Sequence, residues 1–150
     1  MTVPTVKRKV LAYVTHGHRL LVFRHPHFPE AGIQVPAGTV QDDESPEEAA
    51  MREAFEETGL TDLELVAFLG QELRDLAECG LDQLHDRYFY HLRCRGNPPE
   101  VWQHLETDPS DGTPEPILFE SSWADLPHGV PEMTGDHAAL LPELLKRLSL

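Results

Sequence analysis

Basic residues are scarce in this chain of 150. Twelve Lys and Arg stand against 26 Asp and Glu, a formal net charge of -14. A protein that grips nucleic acid or anionic lipid through a basic face needs the opposite balance, so no stable nucleic-acid or membrane partner is expected. A polyanionic small molecule stays open, because a bound divalent cation inverts the local sign of an acidic site. Cysteine is sparse too. Cys79 and Cys94 are the only two, form no C-x-x-C motif, and are too few for a disulfide framework. A reducing, cytoplasmic setting is the simplest expectation. Apolar runs are short, and none approaches the roughly 18 residues of a membrane span. The first residues lack a charged start followed by a long apolar stretch, so no signal peptide is expected. Internal repeats and low-complexity tails are missing as well. With 40% hydrophobic and 25% charged residues, the composition is that of one soluble globular domain over 1–150.

Present instead is a pattern of strands around one strong helix. Lys7 to Thr15 and Arg19 to His25 read as strands rich in β-branched and aromatic residues, joined at Gly17 as a hairpin. Ile33 to Pro36 reads as a short strand running into the turn Ala37-Gly38-Thr39. Leu63 to Leu73, Arg87 to Arg95 and Ile117 to Trp123 read as further strands. Gly96 to Pro116 is rich in Pro, Asp and Gly and reads mostly as loop, with a small packed element around Trp102, His104 and Leu105. A closing helix is expected from Thr134 or Asp136 through Leu148, with Pro142 near its first turns. These elements predict a layered α/β domain.

The central helix is the clearest element. Ser45-Pro46-Glu47-Glu48 combines an N-cap Ser, a Pro at the first helical position and a Glu three residues after the cap. Gly59 stands where a left-handed C-cap belongs. This helix also carries the charge: Asp42 to Glu57 contains eight acids and one base, half of the net charge. At the helical period Glu53, Glu56 and Glu57 share an arc of about 100°, with Met51, Ala54, Phe55 and Thr58 on the opposite, core-facing side. Carboxylates at i,i+3 and i,i+4 repel by about 0.2–0.5 kcal/mol per pair. A helix face tuned only for solubility mixes signs. Three converging carboxylates are better explained by a hard divalent cation such as magnesium, which takes oxygen ligands. A loop at the N-terminus of the helix can add backbone carbonyls from Ala37 or Gly38, and Gly38 permits a close backbone approach.

The run from Gly38 through Glu44 to Arg52-Glu53-Ala54-Phe55-Glu56-Glu57-Thr58-Gly59-Leu60 fits G-x5-E-x7-R-E-U-x-E-E-x-G-U, where U is a bulky apolar residue. This resembles the signature of the Nudix hydrolase family at every fixed position. The lead-in Val35-Pro36-Ala37-Gly38 is similar too, with Ala37 where Gly is common. The resemblance implies an α/β/α sandwich with a mixed sheet. It implies hydrolysis of a nucleoside diphosphate linked to some other moiety X, by water attack at phosphorus. By the same resemblance Glu53, Glu56 and Glu57 would hold magnesium or manganese, and Glu44 would bind a further ion or brace the site. Arg52 would orient Glu53 or Glu56. Glu57 is counted with the catalytic carboxylates, and the base would be Glu53 or a carboxylate outside the motif, with Glu120 the first candidate and Glu115 the second. The alternative on the same fold is a nucleotide sensor without turnover, which loss of Glu53, Glu56 or Glu57 would favour, and none is lost.

Other features carry less. His16/His18 and His25/His27 are i,i+2 pairs that suit a transition metal or, more ordinarily, polar strand ends. Arg24 and His25 are candidate phosphate contacts. Trp102 is the aromatic chosen as a platform for a base, ahead of Trp123, Tyr88 and Tyr90, although core packing is the commoner fate of such residues. Asp86 and Arg87 are placed near the cleft or on an ordinary polar edge. Submotifs linked to NADH, coenzyme A, ADP-ribose and diadenosine-polyphosphate substrates are not seen. The positions where the last two would carry Pro or Tyr hold Asp75-Leu76 and Ala77-Glu78. The substrate and oligomeric state stay open, a homodimer included.

Overall fold

A computed structural model describes residues 3–107 and 115–150. Among the described residues are seven strands and two α-helices: β1 (Thr5–His16), β2 (Arg19–Arg24), β3 (Ala37–Thr39), α1 (Pro46–Thr58), β4 (Leu63–Asp75), β5 (Gln83–Cys94), β6 (Val101–Glu106), β7 (Ile117–Asp125) and α2 (Leu141–Leu148). The strands form one sheet in the order β4-β5-β1-β2-β7-β6, with β3 paired to β1 off this path. β1 and β5 run parallel and every other pair is antiparallel, so the sheet is mixed.

Strand alternation makes two cores. On one face Val10, Ala12, Val14, Leu21, Tyr90 and Leu92 pack under Ala49, Ala50 and Ala54 of α1. On the other, Leu11, Tyr13, Leu20, Val22 and Phe89 pack under Leu144 of α2. The result is an α/β/α sandwich. The three alanines, each without exposed surface, let α1 lie close on the sheet.

The sheet is parted at one place. β1 and β2 pair only near the hairpin, at Thr15–Leu20 and His16–Arg19. Beyond it residues 34–39 lie between the strands. Gln34 bridges Phe23 of β2, the Ala12 N–H donates to the Pro36 carbonyl, and β3 pairs with Lys9 to Leu11 of β1. This parting opens a cleft beside the C-terminal half of α1.

Three expectations need correction. First, the small packed element expected around Trp102, His104 and Leu105 in the loop from Gly96 is a regular strand, β6, registered on β7 from Val101–Ser122 to Glu106–Ile117. Its inward positions are Trp102, His104 and Glu106, while Val101 and Leu105 face out. The polarity pattern is thus inverted relative to an ordinary half-buried strand. The part of that loop at 108–114 lies outside the described residues. Second, the closing helix begins at Leu141, because Gly135 (φ 62°) and Asp136 (φ 57°) are left-handed and cannot start a right-handed helix. Third, Phe55 is half exposed, while Glu53 and Glu57 are buried. The acidic arc of α1 turns inward instead of facing solvent.

Candidate metal and active site

α1 is set by its ends. The Ser45 hydroxyl accepts from the Glu48 N–H and the Glu48 carboxylate accepts from the Ser45 N–H, a reciprocal capping box. At the far end Gly59 takes φ 75° and its N–H donates to the Phe55 carbonyl. With both ends fixed, Glu53 and Glu57 point at β3.

Arg52 holds the acids together. Its guanidinium binds Glu44 twice (Nη2 to Oε1 2.6 Å, Nε to Oε2 3.0 Å), Glu53 Oε1 at 2.7 Å and Glu56 Oε2 at 3.2 Å, and reaches the Thr39 carbonyl at 3.1 Å. The hydrogen bonds from Arg52 hold the Glu44 carboxyl below its usual range, with burial opposing and the Gln41 N–H assisting. Glu44 is therefore a brace for Arg52. The same partnership, led by Glu44, pushes the guanidinium still higher.

Glu53 is 1% exposed. Its Oε1 is held by Arg52, while its buried Oε2 has no hydrogen-bond partner. Gly38 lies against this carboxyl group so closely that a Cβ there would collide with it. Glu57 Oε1 accepts from the Ala37 N–H at 3.0 Å. Burial first, then the Glu53 carboxylate, raises the Glu57 carboxyl well above the ordinary range. Burial and Glu53 raise Glu56 as well, opposed by Arg52 and by a hydrogen bond with Glu106.

Glu106 is the residue that sequence reasoning missed. At the end of β6 it brings a carboxylate oxygen into a group with Glu53 and Glu56 in which all the oxygens lie within 4.8 Å of one another. Among the described residues this is the one cluster with the makings of a metal site. An all-oxygen donor set, a buried oxygen without a partner and a glycine that clears room for it together fit a hard divalent cation.

The cleft opened by the parted sheet has a volume of about 730 Å³. Gly38, Glu57 and Glu106 lie at one end. Phe23, His25 and Phe119 form an aromatic side, with ring centroids 4.7–5.5 Å apart. His137 reaches in from the α2 side, where burial and then Arg87 and Arg74 lower its pKa to about 4. Its Nδ1 accepts from the Val35 N–H, so the neutral ring carries its proton on Nε2.

Several expected site residues stand elsewhere. Glu120 and Arg24 face each other across β7 and β2 and form an ion pair at 2.7 Å. Their parity is that of Ala124 and of Leu20 and Val22, so they project from the face opposite α1, and neither lines the cleft. Trp102 sits on β6, packs on Trp123 at 6.0 Å and donates its indole N–H to the Thr58 carbonyl at 2.8 Å. Its indole pins β6 to the end of α1 and is absent from the cleft wall. Glu115 is exposed. His16 bonds the Cys94 carbonyl, and only His25 of the two histidine pairs lines the cleft. Arg87 does line it, whereas Asp86 is bonded to Gln71 and Tyr88.

Comparison with known proteins agrees with this geometry. The NUDIX domain family model matches residues 5–144. A MutT protein from Methanosarcina mazei Go1 superposes with a TM-score of 0.62 at 19% identity, covering 99% of this chain and 96% of that one. An ADP-ribose pyrophosphatase from Streptococcus suis 89-1591 gives 0.64 at 17% identity, covering 96% and 92%. A bifunctional NMN adenylyltransferase/ADP ribose pyrophosphatase from Francisella tularensis, complexed with AMP and a manganese ion, gives 0.60 at 17%, covering 96% of this chain and 42% of that one. No curated protein matches the chain. The family model spans nearly the whole sequence, so the chain belongs to the Nudix hydrolase family.

Proposed function

We propose that the chain is a divalent-cation-dependent pyrophosphohydrolase that cleaves a nucleoside diphosphate linked to another moiety. The observation that carries this reading is the convergence of Glu53, Glu56 and Glu106 within 4.8 Å, with Glu53 Oε2 buried and unpartnered. These three, with Glu57 beside them, would hold magnesium or manganese. When bound, the cation neutralises the diphosphate and acidifies a water.

The chain's own groups do the rest. Arg52 and Glu44 fix the orientation of Glu53 and Glu56. The Ala37 N–H fixes Glu57, so the cluster is organised before substrate arrives. The proton of an attacking water has two carboxylates at the cleft to go to, Glu57 and Glu106. The aromatic side at Phe23, His25 and Phe119 replaces Trp102 as the surface against which a base or sugar packs. Phosphoryl transfer needs this positioning and charge compensation more than covalent help.

The test is release of phosphate products from a panel of nucleoside diphosphate derivatives with magnesium. Glu53→Gln is expected to lower kcat about a hundredfold or more. Unchanged turnover in that variant overturns the reading. Tight binding of one member by the wild type without turnover points to a sensor instead.

A further inference from the structure

The cleft has a second wall of opposite sign. Four lysines and arginines line it (Lys7, Lys9, Arg74, Arg87) against two acids (Glu57, Glu106). In the chain as a whole acids outnumber bases 26 to 12. Strand register produces the concentration. β1 and β5 set Lys7 opposite His85 and Lys9 opposite Arg87. β5 and β4 set His85 opposite Arg74 and Arg87 opposite Glu72. Two rows therefore cross the sheet: Lys7, His85 and Arg74, and beside them Thr39, Lys9, Arg87 and Glu72.

The rows differ in what balances them. Arg87 is 4% exposed and binds Glu72 through Nε (3.0 Å) and Nη2 (2.5 Å), and the Gly135 and Asp136 carbonyls at 2.8 and 2.9 Å. Lys9 donates to the Thr39 hydroxyl at 2.6 Å. That row is a structural tie between sheet and α2 approach. The first row contains no acid. Arg74 gives one hydrogen bond to the Gly135 carbonyl and lies 3.7 Å from Asp136, which leaves most of its five donors for other acceptors. Lys7 is exposed. Burial, then Lys9, Lys7, Arg87 and Arg74, hold His85 below the usual imidazole range. The row thus sets two fixed cations, Lys7 and Arg74, on either side of an uncharged imidazole, with no acid opposite any of the three. In a chain of 26 acids and 12 bases, such a row on the wall of the cleft is a local reversal of sign that suits an anion. Lys9 stands opposite Thr39, next to Gly38, so Lys7 lies about 7 Å further along β1 from the carboxylate end.

The geometry points to an anion subsite formed by Lys7, His85 and Arg74, which takes a further phosphate carried by the substrate beyond the diphosphate that is cleaved. The inference rests on the pyrophosphohydrolase reading for the rest of the ligand. It narrows the substrate class to nucleoside polyphosphates, dinucleoside polyphosphates and diphosphates whose second moiety is phosphorylated. Nucleotide sugars with a neutral second moiety are disfavoured.

Two measurements test it on the whole chain. The first is calorimetric titration with inorganic tripolyphosphate without added divalent cation, which reads the subsite whether or not hydrolysis occurs. Lys7→Gln and His85→Gln are each expected to weaken binding about tenfold, and Lys146→Gln on α2 to leave it unchanged. Absence of binding, or equal loss in all three variants, overturns the subsite. The second compares matched substrates with magnesium, diadenosine diphosphate against diadenosine tetraphosphate and ADP-ribose against its phosphorylated analogue. The phosphate-richer member is expected to show the lower KM. Lys7→Gln should raise that KM about tenfold at constant kcat and leave the poorer member alone. Equal effects on both members overturn the proposal, as does a row that binds inorganic phosphate but moves neither KM. Failure of every substrate to turn over counts against the pyrophosphohydrolase reading, while the tripolyphosphate titration still decides the subsite.

Discussion

Gly38 and Glu53 are in steric register: the space that a Cβ at 38 would fill is held by the Glu53 carboxyl group. Neither residue is on the same element, since one lies on β3 and the other on α1. The fit joins them into one feature. Gly38→Ala is therefore expected to displace Glu53 from the cluster. Overpacking of this kind costs about 1–3 kcal/mol. Steady-state kinetics with magnesium should show kcat lowered about a hundredfold, with the fold retained by circular dichroism. Wild-type kcat in the alanine variant would mean that Glu53 is not a ligand in its observed place.

Arg52 cannot be replaced by the other cation. Its guanidinium reaches Glu44, Glu53, Glu56 and the Thr39 carbonyl at once, a planar fork geometry that an ammonium lacks. Arg52→Lys is expected to weaken magnesium affinity and lower activity at least tenfold, measured by metal titration of initial rates. Arg52→Ala should cost about 3 kcal/mol or more in urea unfolding, because Glu53 is then a buried charge without its partner. A lysine variant indistinguishable from wild type would reduce Arg52 to a surface ion pair.

Glu106 and Glu120 lie on opposite faces of the sheet. Glu106 lies with Glu53 and Glu56, whereas Glu120 is paired to Arg24 on the opposite face of the sheet. Glu106→Gln is expected to lower both kcat and metal affinity about tenfold or more. Glu120→Gln should leave kcat within twofold and the urea midpoint nearly unchanged, as exposed pairs do. The reverse outcome would reinstate Glu120 as the base.

What the sequence disclosed and what it withheld follow from range. The capping box at Ser45, the C-cap at Gly59 and the spacing of Glu53, Glu56 and Glu57 are local, so α1 and the grouping of its three carboxylates were legible. So was the hairpin at Gly17. The direction in which the acids face was not, because the helical period alone cannot tell a buried acidic arc from a solvated one. Of the expected core stripe Met51, Ala54 and Thr58 do pack inward, and only Phe55 turns out to solvent. Glu106 was hidden for another reason. Its strand carries Trp102, His104 and Glu106 inward and Val101 and Leu105 outward, since its inner face abuts the end of α1 and the acid cluster. A strand whose buried face serves a site does not advertise itself by hydrophobic alternation. The cationic row of Lys7, His85 and Arg74 was invisible for want of register, which joins three distant segments.

Acid should weaken the fold through a histidine remote from the site. His91 is 2% exposed, with Nε2 against the Thr15 hydroxyl at 2.8 Å and Nδ1 buried without a partner. Burial first, then Arg93 and Arg147, lowers its pKa to about 4. Above the unfolded value of about 6.5 both states are neutral and the group contributes no pH dependence. Between there and about 4 the unfolded chain takes up a proton that the folded chain refuses, so stability falls with pH over that window, by roughly 3 kcal/mol at most. Carboxylates titrate in the same range, so the measurement is a difference. Urea unfolding at pH 7 and at pH 4.5 is compared between wild type and His91→Gln, which keeps a polar partner for Thr15 but cannot protonate. The variant is expected to lose about 2 kcal/mol less than wild type on going to the lower pH. Equal losses would mean that His91 is hydrated or already charged in the folded protein.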